Sequence, residues 1–233
     1  MRTTEPTPLV RATGVSKTFG SGEGAVVAVH GVSCAVVPGA HIAITGPSGS
    51  GKSTLVHLLA GLEQPTTGTV EWPGIALTSG RPTHQVGLVF QGPSLLPPLN
   101  VVENVALPLV LQGVSETEAT DRAHEALRAL GVERLAGKLP EEVSGGQAQR
   151  VAVARVLAAR PTLVMADEPT GQLDHVTAAH VVDVLLAATE QLGAALVIAT
   201  HDPAVVRRLP TRWLLHDGTI SAGASGDWTA SRS

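Results

Sequence analysis

The chain has 233 residues, 43% of them hydrophobic, with a single cysteine and a formal net charge of −4. That length can bury a sizeable core, in one large domain or two small ones, and the hydrophobic share excludes a disordered chain. The acidic balance argues against a nucleic-acid-binding surface, the lone Cys34 excludes an intramolecular disulfide, and no apolar run approaches the ~20 residues that a membrane-spanning helix needs.

Residues 1–8 are polar and Pro-rich and read as a frayed terminus, without the apolar stretch of a secretion signal. Residues 9–19 and 26–37 are Val-rich with partial alternation, which predicts two strands. The turn Pro38-Gly39 then leads into a short strand over 41–45, a glycine-rich loop, and a helix over 52–60 that Gly61 ends. Residues 69–72 and 86–90 read as further strands. The middle third changes character, with helices over 101–111 and 116–130. Ser115 and Glu118 have the spacing of a capping box at the start of the second.

A helix over 145–159 stops before Pro161, and strand and helix then alternate again: strand 162–166, helix 176–192, strand 194–200. This alternation predicts an α/β fold with a mainly parallel sheet covered by helices, and the helical stretch 92–145 is expected to form an inserted lobe beside it. Residues 222–233 read as a flexible tail, which leaves 9–221 as a single domain. Aromatics make up only 2% of the chain and Tyr is absent, so Leu, Val, Ile and Ala must fill the core.

Two motifs carry chemistry on residue type and spacing. Gly46-Pro47-Ser48-Gly49-Ser50-Gly51-Lys52-Ser53 matches Gly-x4-Gly-Lys-Ser, the Walker A phosphate loop, between an apolar strand and a helix. Its glycines let the backbone N–H groups turn inward, and the helix N-terminus adds its partial positive charge, so the loop suits phosphate oxygens. In such a loop Lys52 reaches the β- and γ-phosphates, Ser53 offers a hydroxyl to Mg²⁺, and Thr54 follows in the first helical turn. The second motif is Leu163-Val164-Met165-Ala166-Asp167-Glu168, an aliphatic strand ending in two carboxylates. Open α/β sheets bind ligands at the C-terminal ends of their strands. Asp167 is therefore a candidate Mg²⁺ ligand, and Glu168 a candidate base for the water that attacks the γ-phosphate.

Between these motifs lies Ser144-Gly145-Gly146-Gln147-Ala148-Gln149-Arg150. The order of phosphate loop, Ser-Gly-Gly-Gln and aliphatic strand ending Asp-Glu resembles the ATP-binding cassette (ABC) family over nearly the whole chain. The resemblance implies a P-loop ATPase fold with a mainly parallel core sheet, an antiparallel β subdomain and an inserted α-helical lobe. It implies that Phe19 stacks on adenine, with a core role as the rival for one of only two Phe residues. It also implies that Gln91 contacts Mg²⁺ or the attacking water, that His201 senses the γ-phosphate, and that Asp174 in Gly171-Gln172-Leu173-Asp174 organises a dimer-interface loop.

In this family Ser144, Gly145, Gly146 and Gln147 would cap ATP held by a second chain. Val143 stands where Leu is usual, a conservative departure. One phosphate loop and one signature per chain then imply a head-to-tail homodimer, or a heterodimer with another ABC ATPase, enclosing two ATP molecules. The family further implies an integral membrane permease as partner and a cytoplasmic position, peripheral on the inner face of the cell membrane, with no nucleic acid.

Thr170-Gly171, the run Glu103-Asn104-Val105-Ala106-Leu107-Pro108-Leu109 and the long hairpin over 21–29 are similar to the macrolide-export and lipoprotein-release branch. The short stretch 68–90 is instead similar in length to nitrate/sulfonate-type importer ATPases. Non-transport ABC ATPases usually carry coiled coils, zinc modules or a second cassette, and a P-loop kinase would leave Ser144 to Arg150 unexplained. The apolar loop 92–99 suits either a groove for a permease helix or packing within the helical lobe.

Overall fold

The computed structural model describes residues 6–223. Strands β1 (Val10–Phe19), β2 (Val26–Val36) and β3 (His41–Thr45) lead to helix α1 (Lys52–Leu59), followed by β4 (Thr67–Glu71), the two-residue strands β5 (Leu77–Thr78) and β6 (Arg81–Pro82), and β7 (Val86–Val89). Helices α2 (Val101–Leu111), α3 (Glu116–Ala129) and α4 (Gly145–Ala158) come next. The chain then alternates through β8 (Leu163–Asp167), α5 (His175–Leu192), β9 (Ala195–Ala199) and the single turn α6 (Pro203–Val206) to the hairpin β10 (Thr211–His216) and β11 (Thr219–Gly223).

The central sheet has the order β11-β10-β3-β9-β8-β7, parallel from β10 to β7, with β11 antiparallel on the edge. A separate antiparallel sheet has the order β2-β1-β4. The expected architecture is present. The hairpin β10–β11 was not anticipated, and the tail expected over 222–233 begins too early, because β11 runs through Gly223. The rest of that tail, and residues 1–5, lie outside the described residues.

All five residues of β8 and all five of β9 are buried, as parallel strands covered on both faces must be. Because successive side chains point to opposite faces, these two strands divide between two cores. Val164, Ala166, Leu196 and Ile198 join α2, α3, α4 and α5 in one. Leu163, Met165, Ala195, Val197 and Ala199 join β1, β2, β3 and α1 in the other. Each fully buried aliphatic side chain contributes about 1.5–3 kcal/mol, so both layers are anchored through the same pair of strands. Cys34 belongs to the second core, and burial pushes its thiol up to about 12, consistent with a small apolar role.

Local signals explain the helix starts. Asn100 and Glu103 make reciprocal capping-box bonds at α2 (2.9 and 2.8 Å). At α3, Ser115 accepts from the Glu118 N–H (3.3 Å), but the Glu118 carboxylate turns to Arg122 one helical turn on. The half of that capping box that depended on Glu118 is therefore given up to an i,i+4 ion pair. Among the described residues, no helix is long and apolar enough to cross a membrane.

Candidate active site

The phosphate loop connects β3 to α1, and two of its glycines are dictated by what lies behind it. Gly46 (φ +154°) and Gly51 (φ +97°) both lie at positive φ, and Gly51 caps α1. A Cβ on Gly46 would overlap the Leu215 carbonyl oxygen of β10, and one on Gly51 would overlap the Ala28 carbonyl oxygen of β2. The loop is thus pressed between two strands. Lys52 is only 9% exposed, and its Nζ donates to the carbonyls of Gly46 (2.9 Å) and Pro47 (3.0 Å). The ammonium is held within the curl of the loop, and a phosphate oxygen arriving there finds it already desolvated.

A cleft of about 250 Å³ opens over this loop, lined by Ser48, Gly49, Gly51, Lys52, Ser53, Thr54, Gln91, Glu168 and Ala28. It brings together the loop, Gln91 two residues after β7 and the acid after β8, three segments distant in sequence. Ala28 was missed by the sequence reading: an Ala in a Val-rich strand carries no local signal, and only the fold places it here. Gly46, Pro47 and Ser50 shape the loop without lining the cleft, and the Ser50 hydroxyl is buried without a partner.

Asp167 ends β8 with 4% exposure, and its Oδ1 is buried without a hydrogen-bond partner. Asp167 does not itself line the cleft but directly precedes Glu168, which does; an orphaned buried carboxylate oxygen there fits a cation, because its burial is costly without one. Glu168 adopts φ +47°, an uncommon conformation for a side chain with a Cβ. Its N–H donates to the Ala199 carbonyl (2.9 Å), and its Oε1 lies 2.8 Å from His201 Nδ1. With the proton on Nδ1, the imidazole donates to the carboxylate and orients it. His201 therefore reaches the site through Glu168; its own side chain is 74% exposed.

Phe19, at the end of β1, is 42% exposed, which removes the core role as its explanation. Lys17 Nζ sits 5.0 Å from the centre of its ring. Phe19 is not among the residues lining the cleft.

Neither is the Ser144 segment. Ser144 caps α4, accepting from Gln147 N–H (3.3 Å), while Gln147 Oε1 accepts from Ser144 N–H (2.9 Å). Ser144 and Gly145 are exposed, and the N–H groups of Gly145 and Gly146 occupy the first helical turn, where no intrahelical acceptor exists. A Cβ on Gly146 would sit 3.2 Å from the Leu173 side chain, so this segment packs beside 171–174. There Asp174 caps α5, accepting from Val176 N–H (3.1 Å), Thr177 N–H (3.0 Å) and the Thr177 hydroxyl (2.6 Å). The Thr177 hydroxyl is the main reason its carboxyl lies below the usual Asp range. The chain thus carries a phosphate cleft and, apart from it, an exposed helix N-terminus with a hydroxyl and free N–H groups.

Known proteins resemble this chain along most of its length. Residues 29–171 match the family model described as ABC transporter. The lipoprotein-releasing system ATP-binding protein LolD of Legionella pneumophila (strain Paris) is 42% identical over 214 residues, covering 88% of this chain and 94% of that protein. An ABC transporter ATP-binding protein of Mycobacterium tuberculosis is also 42% identical, over 86% of this chain and 84% of its own length. Among solved structures, the dimeric post-hydrolysis state of the ATP-binding cassette MJ0796 bound to ADP and Pi superposes with a TM-score of 0.84 at 37% identity, covering 91% of this chain and 96% of that one. By sequence match, fold and site, the chain belongs to the ABC transporter family, as an ATP-hydrolysing subunit.

Proposed function

We propose that this subunit drives a separate membrane permease of lipoprotein-release type, working as a dimer in which each ATP is enclosed by the cleft of one chain and the Ser144 segment of the other. The observation that carries this reading is the separation within one chain. The phosphate loop, Gln91 and Glu168 share a cleft, while Ser144 and Gly145 at the start of α4 are exposed outside it. A helix N-terminus with two free N–H groups and a hydroxyl is an anion site, and a second chain can bring one. The dimer of MJ0796 supports the pairing, and the printed name of the Legionella relative supports the branch. Such a subunit would sit on the cytoplasmic face of the membrane by way of its permease.

Within the cleft, Lys52 and the loop N–H groups would hold the β- and γ-phosphates, and Phe19, outside its lining, offers an exposed ring for adenine. Ser53 and Gln91, which line the cleft, and the unpaired Asp167 oxygen would supply oxygen ligands suited to Mg²⁺, which when bound would offset the charge of the phosphates. Glu168, held through Oε1 by His201, keeps Oε2 to accept the proton of the attacking water. Asp174 orders the loop beside the signature by capping α5.

Replacing the base while keeping its shape tests the assignment. Glu168→Gln is expected to bind ATP, to dimerise with it, and to hydrolyse at least about 100-fold more slowly than wild type in a phosphate-release assay. Turnover at the wild-type rate removes Glu168 as the base.

A further inference from the structure

Helix α4 begins at the Ser144 cap and ends beneath β7, and three contacts bind it to the segment that carries Gln91. The first is backbone pressed on helix: a Cβ on Gly87 of β7 would lie 2.5 Å from Val156 Cγ1 and 3.2 Å from Pro161 Cγ. The second is Gln149, 1% exposed, whose Nε2 donates to the Phe90 carbonyl at 3.0 Å. The third is Arg155, whose two terminal nitrogens donate to the Ser94 carbonyl (2.7 Å) and hydroxyl (2.6 Å). Gln91 lies between the two anchored residues, exposed and lining the cleft.

We propose that Gln149 and Arg155 are positioning residues: through them α4 sets Gln91, so that capping of an anion at Ser144 of a chain is felt in that same chain's cleft. The inference rests on the two-chain site proposed above. It follows from stiffness and distance. Gln149 is five residues from Ser144, about 8 Å along the helix, and Arg155 eleven residues, about 17 Å. A helix moves over such lengths as a rod, so a shift at its first turn reaches both anchors.

The choice of residue is informative. Gln149 sits among Ala148, Val151, Ala152 and Val153, all buried, and its Oε1 is buried with no partner. Packing alone would favour an aliphatic side chain at that position, because a half-satisfied amide is costly. What the amide supplies, and an aliphatic group cannot, is the hold on the carbonyl immediately before Gln91.

Gln149→Leu in the full chain separates this role from packing, since Leu fills the volume and removes the orphaned oxygen. The proposal expects an ATP Kd within about twofold of wild type by fluorescent-nucleotide titration, a kcat lower by about tenfold, and a Hill coefficient for ATP that falls toward unity. Dimerisation with ATP, read by gel filtration in the Glu168→Gln background, is retained. An unchanged kcat and Hill coefficient overturn the proposal, and so does a parallel loss of Kd, Tm and kcat, which marks a purely structural residue. Arg155→Leu, which removes both bonds to Ser94, keeps the proposal testable should Gln149→Leu not fold: a kcat reduced at least about threefold at wild-type Kd and Tm supports the tie, and wild-type kcat refutes it. If Glu168→Gln alone does not dimerise with ATP, the failure belongs to the two-chain site instead.

Discussion

At the scale of single residues, the site depends on small groups whose reason lies far away in the chain. Gly51 has both a positive φ and the Ala28 carbonyl where a side chain would go, so no L side chain fits without moving β2 or the loop. Gly51→Ala is expected to weaken ATP binding by about tenfold or more, read by nucleotide titration, because the displaced N–H groups no longer converge on phosphate. Glu168 shows the same logic in strain: its left-handed backbone is held by the Ala199 carbonyl and by His201, and that hold aims a carboxylate into the cleft.

At the scale of elements, capping does two jobs. Ser144 and Asp174 each open a helix, α4 and α5, and the loops they stabilise lie side by side. Asp174→Ala should lower Tm by about 2–4 °C, whereas Asp174→Asn, which can still cap, should lower it little. The carboxyl of Asp174 is held below its ordinary pKa, chiefly by the Thr177 hydroxyl, so its contribution is present above the unfolded-state value and lost as pH falls through the folded one. The Tm gap between wild type and Asp174→Ala should therefore narrow in acid below about pH 4, a trend that a thermal-melt series across pH reads directly. Asn104 is a further element-scale device. Its amide accepts from Leu96 N–H and donates to the carbonyls of Leu96, Leu99 and Asn100, which shapes the apolar loop before α2. Leu96 remains 44% exposed there while Leu95 packs on the core, so this loop serves both the lobe and an outward face.

At the scale of the whole molecule, β8 and β9 share their side chains between two cores, and the acid pair and His201 emerge where both cores end. One chain carries one cleft and one exposed cap, so hydrolysis under the proposed arrangement needs two chains. Specific ATPase activity should climb with protein concentration until dimers dominate. A specific activity that stays flat on dilution contradicts the two-chain site.

The phosphate loop, the acid pair and Ser-Gly-Gly-Gln were legible in the sequence by themselves, because each acts through neighbours a few residues apart and local spacing encodes it. The alternation of aliphatic strands with helices was equally legible, since burial on both faces demands continuous apolar runs. The fold alone revealed that Ala28 and Leu215 back the loop, that Gln149 and Arg155 hold the segment around Gln91, and that β10 closes the sheet beside β3. β10 is half exposed, and its apolar run, Trp213-Leu214-Leu215, is too short to mark a strand by itself. In each of these cases a common residue type meets a backbone group many positions away. Nothing in the local pattern distinguishes such a residue until chain packing brings the two together.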